Sequence, residues 1–140
     1  MNNTLTVSGD LNNLSTIAKF VIDTAKKAGL NKKKTYQLRL AVDEIATNII
    51  IHGYQEIGKS GEINLISKLQ PDRLFIFLED TGAIFDPTLQ PAPHNLNLPL
   101  EKREIGGLGV YLAIQGVDRF IYEHLNGRNR TTFVIYIDRE

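Results

Sequence analysis

Apolar positions recur with two different periods along the chain and divide it into helices and strands. Near the N-terminus, "TLTVSG" alternates apolar and polar residues, which predicts a first strand. Asp10 then caps a predicted helix that ends at Gly29, and Asn31 caps a second helix that runs to about Ile51. Apolar residues form one stripe on each helix: Leu11, Leu14, Ile17, Ala18, Val21, Ile22 and Ala25 on the first, and Leu38, Val42, Ile45 and Ile49 on the second.

Strand patterns dominate the remainder of the chain. "GEINLISKL" alternates, a turn follows at Pro71-Asp72, and "RLFIFLED" is a predicted buried strand that ends in two acids. "GGLGVYLAIQGV" predicts a glycine turn that opens a short helix, and "DRFIYEHL" and "RTTFVIYID" predict a hairpin around "NGRN". The order β-α-α-β-β-loop-α-β-β predicts one domain over residues 1–140. Its expected fold class is α/β: a two-layer α+β sandwich, with a mixed, mostly antiparallel sheet and helices on one face.

The segment from Thr81 to Ile105 interrupts this regular pattern. Its prolines exclude a continuous helix or a central strand: Pro87, Pro91, Pro93 and Pro99. A structureless stretch of about 20 residues inside a small domain is usually functional or disordered.

Composition removes several classes of function. The chain has 140 residues, sixteen basic and sixteen acidic, so nucleic acid is a poor candidate partner. Without cysteine there are no disulfides, thiol catalysis or cysteine metal sites, and the three histidines (His52, His94, His124) show no ligand-type spacing. No apolar run approaches the ~18 residues of a membrane span, and the N-terminus is unlike a signal peptide. We therefore expect a soluble cytoplasmic protein.

"GYQEIGKS", from Gly53 to Ser60, has the spacing of a Walker A phosphate loop. Such a loop needs a buried strand before it and a helix after it, because the helix N-terminus faces the phosphates. Here a helical pattern precedes Gly53 and a strand-like alternation follows Gly61. "LFIFLED" does resemble a Walker B strand, so a P-loop NTPase stays a remote alternative to the preferred interpretation, a polar surface loop.

The second predicted helix carries a polar stripe on an otherwise apolar surface. Glu44, Asn48 and His52 are spaced four residues apart and therefore share one face. An asparagine oxygen suits Mg²⁺, which needs only one or two protein oxygens beside phosphates and waters. A glutamate one turn earlier could orient or deprotonate a group that attacks a γ-phosphate. The alternative is a solvated helix edge with Glu44 facing water.

Two further segments fit a nucleotide. In "EDTGAIFDP", Asp80 ends a strand, where its carboxylate can accept a hydrogen bond from an adenine amino group, and Gly82 would let the backbone approach the base. In "GGLG", from Gly106 to Gly109, bare amides at a helix N-terminus suit a polyphosphate. Each motif is weak alone, but the polar stripe and these two segments in this order favour nucleotide binding.

These motifs together resemble a known family. "AVDEIATNIIIHGY" is similar to the N box of the anti-sigma factor serine/threonine kinases, which belong to the GHKL group of ATP-binding proteins. "EDTGAIFDP" and "REIGGLGVYLAIQGVDRFIYE" are similar to the two glycine boxes of that family. "NGRNRTTFVIYI" is similar to the strand that carries a nucleotide-contacting threonine. The resemblance covers essentially the whole chain, with Ile84 where many GHKL proteins have a second glycine.

The resemblance implies a Bergerat-type, histidine-kinase-like ATPase fold that holds ATP and Mg²⁺ under a lid at about residues 86–105. It implies that Glu44 is the catalytic base and that Asn48 binds Mg²⁺. Arg103 would contact a phosphate or a partner, or be a solvated loop arginine, and His52 would give packing or support. The other implied nucleotide contacts are Asp80 and Gly82 at adenine, Gly107, Leu108, Gly109 and Val110 at the phosphates, and Thr132 in the base pocket.

The family's activity sets the expected function. The resemblance implies an ATP-dependent protein-serine kinase and anti-sigma regulatory factor. It would phosphorylate a serine of a small antagonist protein, bind a sigma factor and often form a homodimer. A non-catalytic module that binds proteins in response to ATP is the alternative from a different class. The motifs do not name the sigma factor, the antagonist or the regulated response.

Overall fold

A sheet and a layer of helices make up residues 2–84 and 107–137, which the computed structural model describes. The strands are β1 (Asn2–Ser8), β2 (Glu62–Gln70), β3 (Arg73–Asp80), β4 (Arg119–Leu125) and β5 (Arg128–Tyr136). The helices are α1 (Leu14–Ala28), α2 (Lys32–Asn48) and α3 (Gly107–Gln115), with a 3₁₀ turn at Leu11–Asn13 and a π-helical segment at Ile49–Gln55. The predicted element order is confirmed. The expected lid and Arg103 lie outside the described residues.

The five strands form one sheet in the order β1-β2-β3-β5-β4, and every neighbouring pair is antiparallel. The predicted two-layer sandwich is therefore confirmed, but the described sheet is antiparallel throughout rather than mixed. Two of these pairs are antiparallel because a two-residue turn joins β2 to β3 and another joins β4 to β5, and so short a connection reverses the chain direction. Asn126 and Gly127 both have positive φ, 56° and 77°, as a two-residue hairpin turn of the Asn-Gly type requires.

The hydrophobic core lies between the helices and one face of the sheet. Alternate residues of the strands point into it, as the period of two predicts. The core members with no exposed surface include Ile17, Val21, Leu38, Val42, Ile63, Leu65, Ile76 and Leu78. The helices thus cover one face, as expected. Among the described residues, no helix is both long enough and apolar enough to cross a membrane.

The predicted caps Gly29 and Asn31 are confirmed, whereas Asp10 caps the 3₁₀ turn that leads into α1 and not α1 itself, which begins at Leu14. The Asp10 carboxylate accepts a hydrogen bond from the Asn12 amide, and the Asn31 side chain accepts one from the Lys34 amide, both at 2.8 Å. Gly29 ends α1 in the left-handed region at φ 84°. The second helix differs from expectation at its end, because the α-helix stops at Asn48 and continues as the π-helical segment.

That π-helical segment also corrects the interpretation of Gly53 to Ser60. Residues 55–60 are exposed, as a surface loop should be, but Gly53 and Tyr54 are buried. The wider π-helical turn directs Tyr54 inward, where its hydroxyl accepts a hydrogen bond from the Thr81 amide and donates one to the Glu62 carbonyl. A helix precedes the segment and β2 follows it, so it lacks the strand–loop–helix context of a P-loop.

Candidate functional site

A pocket lies where the C-terminal end of α2 meets β3, β4 and β5. Its apolar walls are Ile45, Ile49 and Ala83, with the backbone of Gly53 beside them. Its polar groups come from Asn48, Asp80, Tyr122, Asn129 and Thr131. The fold therefore brings together two of the predicted site residues, Asn48 from the N box and Asp80 from the first glycine box.

Asp80, the last residue of β3, presents one carboxylate oxygen to this pocket. Its side chain is buried, and its Oδ1 accepts hydrogen bonds from the Gly82 amide at 2.8 Å and from Asn129 Nδ2 at 2.9 Å. Oδ2 has no hydrogen-bond partner among the described residues. Burial raises the pKa of Asp80 above its ordinary value. The hydrogen bonds from Asn129 and Gly82 lower the pKa, but by less than burial raises it. When ionised, Oδ2 of this mostly buried residue is an acceptor suited to an amino group.

Gly82 is required by the protein's own backbone. The Ala83 amide donates to the Gly53 carbonyl at 3.0 Å, which holds the turn after β3 against the end of the N box. A Cβ at Gly82 would lie 2.8 Å from the Gly53 oxygen and 3.0 Å from its Cα. The expected reason for this glycine was close approach to a base. The structure shows a close approach to Gly53.

Thr131 lines the pocket, whereas Thr132 lies on the opposite face of the sheet. Thr131 pairs with Leu78, whose side chain is in the core, and Thr132 pairs with Phe77 and Ile121 on the face away from the helices. Side chains alternate across a strand, so a shift of one residue changes the face. We therefore correct the expected base-pocket threonine from Thr132 to Thr131.

Glu44 and Asn48 lie on consecutive turns of α2, but only Asn48 lines the pocket. Glu44 is half-buried. Burial raises its pKa, and the negative charge of Asp43 raises it further. A carboxylate with a raised pKa accepts a proton more readily near neutral pH, which suits a general base.

His52, the third member of the stripe, points elsewhere. Its Nδ1 lies 2.6 Å from Glu56 Oε1, and the side chain is 43% exposed. The ring is not among the groups that line the pocket.

The glycine turn opens a helix as predicted, because α3 begins at Gly107. Gly107, Leu108 and Gly109 form its first turn. The Val110 side chain is buried in the core, so a ligand could reach this residue only through its backbone.

Sequence reasoning missed the polar cluster on the β4–β5 hairpin. Asn129 is buried and donates to Asp80, while its Oδ1 accepts hydrogen bonds from the Tyr122 hydroxyl at 2.5 Å and from His124 Nδ1 at 2.8 Å. A usable signal was present, since in a two-residue hairpin Tyr122 pairs with Thr131 and His124 with Asn129. These four residues therefore lie on one face, next to the end of β3.

The polar groups of the pocket fit an adenine nucleotide and a magnesium ion that takes few of its ligands from the protein. Among residues 2–84 and 107–137, no three His, Asp or Glu side chains form a metal-type cluster. Mg²⁺ in nucleotide sites commonly takes one or two protein oxygens, with phosphates and water completing the shell. The Asn48 amide can provide such an oxygen, and the apolar walls and Asp80 Oδ2 suit a base that carries an amino group.

Sequence comparisons point to one family. Residues 7–135 match a family model described as "Histidine kinase-like ATPase domain". Over 119 residues the chain is 32% identical to a protein named serine-protein kinase RsbW from Bacillus cereus (strain ATCC 10987 / NRS 248), covering 83% of this chain and 72% of that one. The protein of the same name from Bacillus mycoides (strain KBAB4) is 33% identical with the same coverage.

Solved structures share the fold. The RsbU and RsbW domains of a Mycobacterium tuberculosis protein superpose with a TM-score of 0.70 at 16% identity, over 100% of this chain and 33% of that one. The histidine kinase domain of a blue-light activated kinase from Erythrobacter litoralis EL346 gives a TM-score of 0.52 at 17% identity, over 89% and 59% of the two chains. The chain thus spans only part of each of these proteins, and at such identities the likeness concerns the fold alone.

Proposed function

Because the chain belongs to the histidine kinase-like ATPase domain family, as its motifs predicted, we propose that it is an ATP-dependent protein-serine kinase. Its substrate is a small antagonist protein, and it acts as an anti-sigma regulatory factor in a cytoplasmic partner-switching pathway. The similarity to proteins named serine-protein kinase RsbW supports this assignment. The main structural support for nucleotide binding is that Asp80 and Asn48 line the same pocket, with Asp80 Oδ2 left to accept a hydrogen bond from a ligand.

In this proposal, the pocket recognises the base. Asp80 Oδ2 accepts a hydrogen bond from the adenine amino group, and Ile45 and Ile49 pack against the ring faces. Thr131 is the threonine that contacts the base. Guanine carries a carbonyl where adenine carries this amino group, so it would place an acceptor against an ionised carboxylate.

The end of α2 provides the groups for phosphoryl transfer. Asn48 would hold Mg²⁺, which when bound neutralises charge on the phosphates. Glu44 accepts the proton of the attacking serine hydroxyl, and its raised pKa supports this role. Backbone amides of residues 107–110, at the N-terminus of α3, would face the phosphates. Arg103 and the proposed lid at 86–105 would close over them.

The proposal makes the antagonist the phosphate acceptor, with a sigma factor and a second copy of the chain as further partners. The face of the sheet away from the helices supports a homodimer. It carries Ile66, Phe75 and Phe77, and no described helix packs on it. Sedimentation equilibrium of the purified chain measures this association, and a monomer at micromolar concentration would reject it.

The first prediction concerns Glu44→Gln, which removes the proposed base while keeping the shape of the side chain. We expect ATP binding to remain within about twofold of wild type, and transfer to the antagonist's serine to fall by a factor of 10² or more. Single-turnover phosphorylation with labelled ATP measures the transfer, and calorimetry measures the binding. An unchanged transfer rate would remove Glu44 from the mechanism.

One observation favours a second candidate, a module that binds partners in response to ATP without catalysis. Glu44 is not among the groups that line the pocket. If wild-type protein binds ATP and the antagonist but transfers no phosphate, this second candidate replaces the kinase.

A further inference from the structure

Asn129 occupies the centre of a hydrogen-bond cluster that ends at Asp80. The residue is 3% exposed and uses both ends of its side-chain amide. Its Nδ2 donates to Asp80 Oδ1 at 2.9 Å and to the Gly82 carbonyl at 3.1 Å. Its Oδ1 accepts from the Tyr122 hydroxyl and from His124 Nδ1.

We propose that Asn129 is a positioning residue that sets the base specificity of the pocket by holding the Asp80 carboxylate ionised and oriented with one oxygen toward the ligand. This inference rests on the proposed adenine site and extends it to a residue on a different strand. Asn129 acts through Asp80 and is not itself assigned a contact with the nucleotide.

The first argument is one of orientation. With one oxygen held by Asn129 and the Gly82 amide, the Asp80 carboxylate cannot tilt out of this orientation without losing two hydrogen bonds in a buried setting. Oδ2 is therefore held toward the pocket before a ligand arrives. Such preorganisation lowers the ordering cost of binding.

The second argument fixes the direction of the amide itself. The Asn129 side chain faces the Asp80 carboxylate and the Gly82 carbonyl, and both of these groups accept hydrogen bonds when Asp80 is ionised. The nitrogen must therefore face Asp80, because the reversed amide would set an oxygen against two acceptors. The Asn129 oxygen then faces β4, where the Tyr122 hydroxyl donates to it and His124 Nδ1 lies 2.8 Å away.

The third argument concerns charge. The Asn129 hydrogen bond favours the ionised form of Asp80, in which Oδ2 is an acceptor only. The charged groups that also act on this carboxylate are Lys59, in the loop after the π-helical segment, and His124 on β4. Without Asn129, more Asp80 would be protonated at a given pH, and a protonated Oδ2 can meet the guanine carbonyl as a donor.

The experiment compares Asn129→Ala with Asp80→Asn and with Asn64→Ala, a matched control on the outer face of β2. Calorimetry with ATP and GTP from pH 5 to 8 gives three quantities. These are the affinity for ATP, the ratio of the ATP and GTP affinities (the discrimination), and the pH at which ATP binding is half lost on acidification (the acid midpoint). For Asn129→Ala we expect about tenfold weaker ATP binding, a smaller ATP-to-GTP ratio and an acid midpoint moved to higher pH. Asn64→Ala should match wild type in all three.

Two further variants separate positioning from folding. Asn129→Asp keeps the shape and the acceptor for Tyr122 and His124, and should lower ATP affinity at pH 7 because two carboxylates then face each other. His124→Gln removes the imidazole beside Asn129, and the pH at which ATP binding is half lost should persist because this pH belongs to Asp80. Thermal melts report whether each variant folds.

The outcomes distinguish this inference from the proposed function. If Asp80→Asn leaves ATP affinity and discrimination unchanged, the adenine site itself is wrong and the inference falls with it. If Asp80→Asn weakens both while folded Asn129 variants keep wild-type discrimination and midpoint, only the positioning role is overturned.

Discussion

Gly82 and Gly53 lie against each other where β3 leaves the sheet, and their contact joins two motifs that are distant in sequence. The approach is asymmetric, because a Cβ at Gly82 would meet Gly53 backbone at 2.8 Å, whereas a Cβ at Gly53 would meet nothing closer than 3.7 Å. Only Gly82 is therefore required for steric reasons, because a side chain at Gly53 would meet no close contact. Neither has positive φ among the described backbone angles.

Gly82→Ala should consequently destabilise the protein by about 1–3 kcal/mol, as expected for overpacking against backbone that cannot easily move. Gly53→Ala serves as the matched control on the same contact and should cost less than about 1 kcal/mol, since its Cβ meets only ordinary van der Waals neighbours. Urea unfolding measures both. Equal effects of the two substitutions would contradict this explanation.

The β4–β5 hairpin shows what periodicity predicts and what it leaves open. Alternation identified both strands and their turn, but "TT" at Thr131-Thr132 offers a threonine to each face. Which one lines the pocket depends on the register against β3, where Leu78 pairs with Thr131. Only the three-dimensional pairing decides this. Likewise, nothing in "NIIIHGYQ" distinguishes the π-helical turn that directs Tyr54 inward from a regular helix end.

The two threonines give a paired prediction. Thr131→Val removes a hydroxyl from the pocket at nearly constant volume and should weaken ATP binding by roughly 3–10-fold. Thr132→Val makes the same change on the outer face and should leave ATP binding within about twofold of wild type, because the sheet separates it from the pocket. Titration with ATP tests both. The reverse ranking would restore the original assignment to Thr132.

Taken as a whole, the domain is predictable in its element order, its caps and its helix-covered face, because these depend on local pattern. Asn48 was predicted from the helical spacing of the polar stripe and Asp80 from its place at the end of a strand. The structure places both in one pocket, and their contacts with a nucleotide stay a prediction. The cluster of Tyr122, His124 and Asn129 was missed, although the two-residue turn fixes the pairing of β4 with β5, because the contact of Asn129 with Asp80 on β3 leaves no signal in the spacing of either strand. The position of Glu44 relative to the pocket likewise depends on helix rotation, which spacing alone does not define.

The buried Asp80 should make the stability of the whole molecule depend on pH in a stated direction. Burial raises its folded-state pKa, so the ionised form is disfavoured on folding and its cost is present above that pKa. Asp80→Asn removes the charge and should raise the free energy of unfolding at pH 7. The advantage should shrink as pH falls through the folded pKa and wild-type Asp80 becomes neutral.

Urea unfolding of wild type and Asp80→Asn at pH 7 and pH 4 measures this difference. A stability gain at pH 7 that accompanies weaker ATP binding would show that the carboxylate is retained for recognition. A variant that is less stable at both pH values would indicate that its hydrogen bonds to Gly82 and Asn129 outweigh the cost of burying the charge.

Tyr54 fixes one end of the exposed loop 55–60, and Gly61 the other, because a Cβ at Gly61 would lie 2.5 Å from the Tyr54 ring. Between these two points the residues are exposed, and the side-chain contacts come from Glu56, which pairs with His52, and Lys59, which donates to the Thr81 carbonyl. We therefore expect insertions, circularly permuted termini or a fluorescent reporter to be tolerated at Gly58, between these two residues. Exposed positions such as these do not pack in the core and can therefore accept many residue types. A sequence that matches the phosphate-loop pattern can then arise there by chance, in a protein whose proposed nucleotide pocket is formed by other residues.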